Sequence, residues 1–293
     1  MVGGCRSTGR PSPSEEAMST QTERAERFRA LHDRSKLLLL PNAWDAGSAR
    51  VFEDLGFDAI ATTSAGVAWS LGYADGECAP LAEVAAAVRR IVRVTSVPVS
   101  VDFESGYGDS PAGVAAAVRE IIDAGAVGIN LEDGIRHESL RDADDAARRI
   151  AAARDAAREA GAPIVINARV DVWIVGFGAG DEERLDETLR RARTYLEAGA
   201  DCIYPMALAD AGVIRRLCSA LDAPVNVGAH ASLPGVAELA RLGVARISTA
   251  TRLAALALSC AREAALRLRD DGRFDHLDAA FAYPDLQRLF ARF

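Results

Sequence analysis

Two patterns of apolar and polar positions alternate along this chain. In one, an Ala-rich amphipathic stretch ends at a glycine and passes directly into a short apolar run. The cases are LGFDAIATTS from Leu55, AGAVGINLED from Ala124, AGADCIYPMA from Ala198 and LGVARISTAT from Leu242. Gly56, Gly125, Gly199 and Gly243 fall where a left-handed residue closes a helix before a strand. In the other pattern a proline enters the apolar run, as in VPVSVDF at Pro98, APIVINARV at Pro163 and APVNVGA at Pro224. KLLLLPNAW from Lys36 opens the series, with its proline at the strand's end.

The strand order is therefore LLLLPN, AIATTS, PVSVDF, GINLED, IVINARVD, CIYPMA, PVNVG and RISTAT. Helical stretches such as 81–95, 113–124 and 182–198 separate these eight runs. The runs are nearly continuous in apolar residues, as expected when helices cover a parallel sheet. Eight βα units in about 230 residues match a (β/α)8 TIM-type barrel. An open doubly wound sheet fits less well, because no run reads as a polar edge and no dinucleotide glycine fingerprint follows the first strand.

This reading divides the chain into a disordered tail over 1–22, a barrel catalytic domain over 23–268 and a helical tail over 269–293. The first segment is rich in Ser, Thr, Gly, Pro and Glu and has no apolar signal-peptide core. Met18 reads as an alternative start. The last segment carries Phe274, Phe281, Tyr283, Phe290 and Phe293. Clustered aromatics of this kind are expected to dock on another subunit.

Composition narrows the function. The formal net charge is −8, which disfavours nucleic-acid and anionic-membrane surfaces. Lys36 is the only lysine, so an active-site cation must come from Arg, His, a metal or backbone dipoles. Cys5, Cys78, Cys202, Cys218 and Cys260 form no CxxC pair, which suits a reducing cytoplasm and gives no zinc signature. No apolar run reaches membrane-span length.

In a barrel of this type the active site lies at the C-terminal strand ends, and the unusual polar residues concentrate there. Strand three ends at Asp102 and Glu104, two apart and so able to face one space. Strand four ends at Asn130 and Glu132, strand five at Asn167, Arg169 and Asp171, and strand seven at Asn226 with His230 nearby. Asp102, Glu104 and Glu132 form an all-oxygen set suited to Mg²⁺ or Mn²⁺. A competing role for Glu132 is a buried ion pair with Arg169. Otherwise Arg169 binds an anionic substrate. The Ser64-Ala65-Gly66 turn offers backbone N–H groups to a substrate oxygen, and Trp44 is either a packing plug or a site wall. Metal, arginine and N–H donors together would stabilise the enolate of a 2-oxo acid.

The motifs NAWDAGSA from Asn42, TTSAG from Thr62, LGYADGE from Leu71, VDFESGYGD from Val101, NLED from Asn130 and NARVD from Asn167 resemble, in this order, the isocitrate lyase/phosphoenolpyruvate mutase superfamily. The resemblance covers roughly residues 28–268. It implies a Mg²⁺-dependent (β/α)8 enzyme working through an enolpyruvate-type intermediate, with its last helix swapped in a homodimer or homotetramer. By motif matching, Asp102 resembles the direct metal ligand, and Glu104 and Glu132 the acids that reach the metal partly through water. Ser64, Ala65 and Gly66 resemble the substrate-anion loop. Asp75 resembles an acid near the reacting group, and Arg169 the substrate-binding arginine.

Two departures bear on the reaction. Family lyases carry a Lys-Lys-Cys-Gly-His loop after strand four, where this chain reads DGIRHESLRDAD, without Cys or Lys. Glu104 stands where many members have Asp. The expected function is a lyase-type enzyme that cleaves or forms a C–C bond in a small 2-oxo or 2-hydroxy acid, with Arg136 or His137 replacing the missing loop groups. One alternative is C–P chemistry, as a phosphonomutase or phosphonopyruvate hydrolase. Another is a non-catalytic metal- and anion-binding barrel.

Overall fold

The structure, a computed structural model, describes residues 13–278 and 281–291. The strands are β1 (Leu38–Leu40), β2 (Asn42–Ala43), β3 (Ile60–Thr62), β4 (Val99–Asp102), β5 (Gly128–Glu132), β6 (Gly134–Ile135), β7 (Ser139–Leu140), β8 (Val165–Val170), β9 (Cys202–Pro205), β10 (Asn226–Gly228) and β11 (Arg246–Ser248). The helices are α1 (Pro13–Ala30), α2 (Ala46–Asp54), α3 (Ser64–Leu71), α4 (Leu81–Arg93), α5 (Pro111–Asp123), α6 (Ala143–Glu159), α7 (Asp181–Glu197), α8 (Ala211–Ala220), α9 (Val236–Arg241), α10 (Arg252–Asp271) and α11 (Tyr283–Phe290).

These strands close the expected barrel. One parallel sheet runs β2-β3-β4-β5-β8-β9 and another runs β1-β11-β10. A bridge between Ile203 and Val225 joins β9 to β10. β1 and β2 are two halves of one stave divided at Pro41, which has no N–H for the ladder. The short antiparallel pair β6-β7 lies outside the ring, in the segment after the fourth stave.

Local chemistry sets the element ends. Gly56, Gly125, Gly199 and Gly243 all adopt positive φ, between 85° and 106°, and terminate the helices that precede β3, β5, β9 and β11. Ser110 caps α5 by accepting a hydrogen bond from Gly113 N, with Pro111 in the first turn. Asp210 caps α8 and Asp142 caps α6 in the same way. On α4 the buried residues Val84, Ala85, Val88 and Ile91 follow helical spacing and form the face turned to the barrel.

The lower mouth is plugged by α1. The sequence assigns 1–22 to a disordered tail, but α1 already begins at Pro13, and residues 1–12 lie outside the described residues. The helix is held by tertiary contacts. Ala25 and Phe28 are completely buried, and Gln21 Nε2 donates to the carbonyls of Ile122 and Ala126. Truncating a buried phenylalanine such as Phe28 to Ala costs about 3–5 kcal/mol.

The barrel interior is more polar than the apolar runs suggest. Side chains of β5 and β8 alternate, with Ile129, Leu131, Ile166 and Ala168 on one side and Asn130, Glu132, Asn167 and Arg169 on the other. Asn167, Asn226 and Arg246 are completely buried, and Ser100 and Ser248 nearly so. The mouth chemistry therefore rests on a polar column.

At the other end of the chain only Ala254 of α10 is buried, although the helix has 20 residues. α11 returns beside α2, where Arg50 Nε donates to the Leu289 carbonyl. Phe274, Phe281, Tyr283 and Phe290 are all exposed, and Phe293 lies outside the described residues. No helix among the described residues is long and apolar enough to cross a membrane.

Candidate active site

Strand register brings the site together. Asp102 is paired with Asn130 and Asn130 with Asn167 across β4, β5 and β8. One layer higher, Glu132 is paired with Arg169 and Arg169 with Tyr204. Beyond the end of β4 the chain stays close, because Glu132 N donates to the Glu104 carbonyl at 2.9 Å. The three acids expected to bind metal thus converge from two adjacent strand ends.

Each acid has a different environment. Asp102 accepts hydrogen bonds on Oδ2 from Ser64 N at 3.1 Å and Ser64 Oγ at 3.0 Å, and on Oδ1 from Asn130 Nδ2 at 3.2 Å. Glu104 accepts from Tyr107 Oη at 2.8 Å and from Glu77 N at 2.7 Å. Burial, aided by Asp75 and Asp102 nearby, pushes its carboxyl up to about 7. Glu132 lies 2.5 Å from Arg169 Nη1. Burial also raises Glu132 well above the ordinary carboxylate range, against the pull of Arg169.

Arg169 is engaged on two sides. Besides Glu132 it donates through Nε and Nη2 to Asp171, at 2.7 and 2.9 Å. Burial works against its cation, but these two carboxylates keep it protonated more firmly than usual. Asp171 is in turn fixed from behind. Its N–H donates to Asp133 Oδ1, and Asp133 Oδ2 accepts from Arg191 and Tyr195.

Two cavities share Ser64, Asp75, His137 and Arg169 as walls. One, of about 360 Å³, reaches down to Asp102, Asn130 and Ser248. The other, of about 640 Å³, opens past Glu104 and Glu132 to Arg136 and Arg141. Asp75 is exposed on the segment between α3 and α4, and a latch holds that segment in place. Glu77 Oε1 accepts from Ser105 Oγ and Tyr107 N, while Glu77 N donates to Glu104. His137 comes from the β6-β7 segment and has a left-handed backbone, φ 58°. Its Nδ1 lies 3.2 Å from Arg169 Nη2 and 3.6 Å from Asp171 Oδ2. The first contact favours a neutral ring and the second a protonated one. The Asp171 carboxylate dominates and raises its proton affinity above the ordinary imidazole value.

The remaining candidates sit differently from their expected places. Trp44 is half-buried and packs edge-on against Phe52, rather than walling either cavity. Ala65 and Gly66 are buried in the first turn of α3, and only Ser64 of that turn lines the cavities. A Cβ on Gly66 would meet Thr63 Cγ2 at 2.6 Å and Trp44 Cβ at 2.8 Å, so this glycine serves close packing. Asn226 lies below the mouth, where its amide donates to Ser248 Oγ. His230 is exposed and hydrogen-bonds Ser232.

Two features had no clear signal in the sequence. One is the Glu77 latch, in which two acidic residues share a network 27 positions apart. The other is the approach of Glu132, His137 and Asp171, each of which brings an oxygen or nitrogen within 4.8 Å of the others. That second cluster already contains the Arg169 guanidinium, which pairs with both carboxylates and opposes a second cation there. The donors around Asp102 and Glu104 are instead neutral: a hydroxyl, amides and a phenol. The uncompensated oxygen donors at Asp102 and Glu104, with Glu132 beside them, fit a hard divalent ion.

Comparison with known proteins agrees with this geometry. Residues 28–269 match the family model for phosphoenolpyruvate phosphomutase. A crystal structure from Burkholderia cenocepacia J2315, described as a candidate phosphonomutase, is 45% identical with a TM-score of 0.80, covering 86% of this chain and 100% of that one. The 2-methylisocitrate lyase of Escherichia coli is 32% identical over 207 residues, 68% of this chain and 67% of its own. A phosphonopyruvate hydrolase in complex with oxalate and Mg²⁺ is 25% identical with a TM-score of 0.80, covering 92% of this chain and 95% of that one.

Proposed function

The chain belongs to the phosphoenolpyruvate mutase/isocitrate lyase superfamily, and on that premise we propose a metal-dependent lyase that makes or breaks a C–C bond in a small 2-oxo or 2-hydroxy acid through an enolate. The observation that carries the reading is the convergence of Asp102, Glu104 and Glu132 beside Arg169, where two cavities of about 360 and 640 Å³ adjoin. Asp102 would hold Mg²⁺ or Mn²⁺, with Glu104 and Glu132 close by. The ion would supply a Lewis acid for the substrate's 2-oxo and carboxylate oxygens.

The protein's own groups do the rest. The N-terminal end of α3, which meets the cavities at Ser64, presents its positive dipole to a carboxylate of the substrate. Arg169, at the cavity wall, supplies fixed positive charge where negative charge develops. His137 can exchange a proton near neutral pH and faces the same space as Asp75, so these two are assigned proton transfer. Arg136 and Arg141 add charge at the outer rim.

Charge favours C–C over C–P chemistry. The cavities are walled by Asp75, Glu77, Asp102, Glu104 and Glu132, against Arg136, Arg141 and an Arg169 that is already paired. A phosphonate brings more negative charge than a carboxylate into that acidic surrounding. The rim arginines and His137 support phosphonopyruvate as the second reading. The exposed face of α10 and the aromatic tail after it are assigned to contact with a second subunit, giving a homodimer or homotetramer.

Assays with oxaloacetate, 2-methylisocitrate, dimethylmalate and phosphonopyruvate in the presence of Mg²⁺ test the proposal. Turnover of a carboxylic substrate supports it. Turnover of phosphonopyruvate alone supports the C–P reading. Tight oxalate binding without any turnover supports a binding barrel.

A further inference from the structure

Arg246 is completely buried in the barrel interior and makes no ion pair among the described residues, the Asp102 carboxylate acting on it only from beyond contact distance. Nη1 lies 3.4 Å from His32 Nε2, Nη2 donates to Asn130 Oδ1 at 3.3 Å, and the guanidinium stands 5.8 Å from the Phe28 ring centre. Its Nε has no hydrogen-bond partner among the described residues. A buried guanidinium without a carboxylate is costly, and apolar replacements of buried charges are often neutral or stabilising. Fold stability therefore does not account for an arginine here.

Its neighbours suggest another role. Asn167 Nδ2 donates to Asn130 Oδ1 at 2.8 Å, and Asn130 Nδ2 donates to Asp102 Oδ1 at 3.2 Å. Taken alone, the two amides form a reversible pair. Turning both over would keep the bond between them, with donor and acceptor exchanged, but would aim the Asn130 carbonyl at the Asp102 carboxylate. Asn167 cannot decide the direction, because its Oδ1 has no partner of its own among the described residues. A guanidinium has only donors, so Arg246 is compatible with just one direction, Asn130 Oδ1 towards itself.

We infer that Arg246 is a positioning residue for Asp102: it orients the Asn167–Asn130 amide pair so that an N–H, not a carbonyl, meets the carboxylate. With Ser64 donating to Oδ2, both Asp102 oxygens are then held by donors and keep their remaining lone pairs for the cavity. The inference rests on the reading that Asp102 binds the divalent ion.

The test is Mn²⁺ affinity, measured by the paramagnetic resonance of free Mn²⁺, for wild type, R246M, R246K and N130A, with thermal unfolding of each in metal-free buffer. Electrostatics and positioning predict opposite signs. Removing a nearby cation should strengthen Mn²⁺ binding, whereas losing the amide orientation should weaken it about ten-fold or more, the usual scale for groups that support a metal ligand. R246M is expected to bind Mn²⁺ at least that much more weakly, while melting no lower than wild type. R246K, which keeps donors and charge, should stay close to wild type. N130A should lose affinity as R246M does.

Affinity in R246M equal to or above wild type overturns the inference, as does a large drop in its melting temperature, which would mark a structural role. Wild-type affinity in N130A overturns it independently, whether or not R246M folds. Absence of Mn²⁺ binding by the wild type is a different failure, because it removes the metal reading itself.

Discussion

Glu132 Oε2 lies 2.5 Å from Arg169 Nη1, with the arginine buried and the glutamate nearly so. Their backbones are register partners across β5 and β8, so the strand ladder itself brings the charges together. Removing one partner leaves the other buried and unpaired. R169M is expected to destabilise the fold by about 3–5 kcal/mol, since it strands Asp171 as well. E132Q should cost less, because Arg169 keeps Asp171. Urea unfolding of both variants checks the order; an R169M that is as stable as E132Q contradicts it.

Metal binding should depend on Asp102. D102A is expected to abolish binding of Mg²⁺ or Mn²⁺ and leave the barrel folded, because the residue ends β4 at the mouth rather than in the apolar core. Calorimetric titration with Mn²⁺, with and without oxalate, reads this directly. A wild type that binds neither ion, even with oxalate, removes the metal from the proposal.

The proton-transfer assignment predicts two kinetic signatures. D75N should lower kcat far more than it raises KM, as expected of a group that acts mainly in the transition state. H137A should cost on the order of 10²-fold if His137 carries the proton. A loss of only a few-fold would reduce the β6-β7 segment to a cover.

The exposed face of α10 predicts assembly. Leu256 and Leu258 are 60% and 57% exposed, and Phe274 and Tyr283 more so. Surfaces of this kind are seldom left to water. Light scattering after size exclusion should give a dimer or tetramer at micromolar concentration; a monomer counts against the subunit contact.

His32 predicts a pH effect on stability. Burial first, and Arg246 second, lower its pKa from the ordinary 6.5 to about 4. Above pH 6.5 neither the folded nor the unfolded chain protonates it. Between about 6.5 and 4 the unfolded chain takes up the proton and the folded chain does not, so stability falls as pH falls. The loss is on the order of 3 kcal/mol. Glu104, raised to about 7, acts in the opposite direction, favouring the folded state at low pH. The comparison is therefore wild type against H32Q by chemical unfolding at pH 7.5 and pH 4.5. Identical pH dependence in the two proteins contradicts the assignment.

Much of the architecture was legible from short-range rules. A glycine after an amphipathic stretch closes a helix because only a left-handed residue lets the chain turn into the next strand. Gly56, Gly125, Gly199 and Gly243 do this before β3, β5, β9 and β11. Eight strand units in series leave a closed barrel as the simplest way to bury every strand, and the barrel rule then points to the strand ends. Asp102, Glu132 and Arg169 were identifiable for that reason, since each ends an apolar run whose neighbours in the sheet are also its neighbours in sequence order.

What remained depended on distances that no local pattern carries. Whether Arg169 faces substrate or Glu132 is a matter of register between two strands. Trp44 and Gly66 belong to one packing contact because α3 presses on the chain after β2. Glu77 and Glu104 meet only once two loops are laid side by side, and α1 plugs the lower mouth because Phe28 finds a buried place there. Arg246 looked like one more residue in an apolar run. A strand's alternation says which side chains share a face, but the partners on that face come from other strands. Only closure of the barrel put this arginine beneath Asn130 and, through it, beneath Asp102.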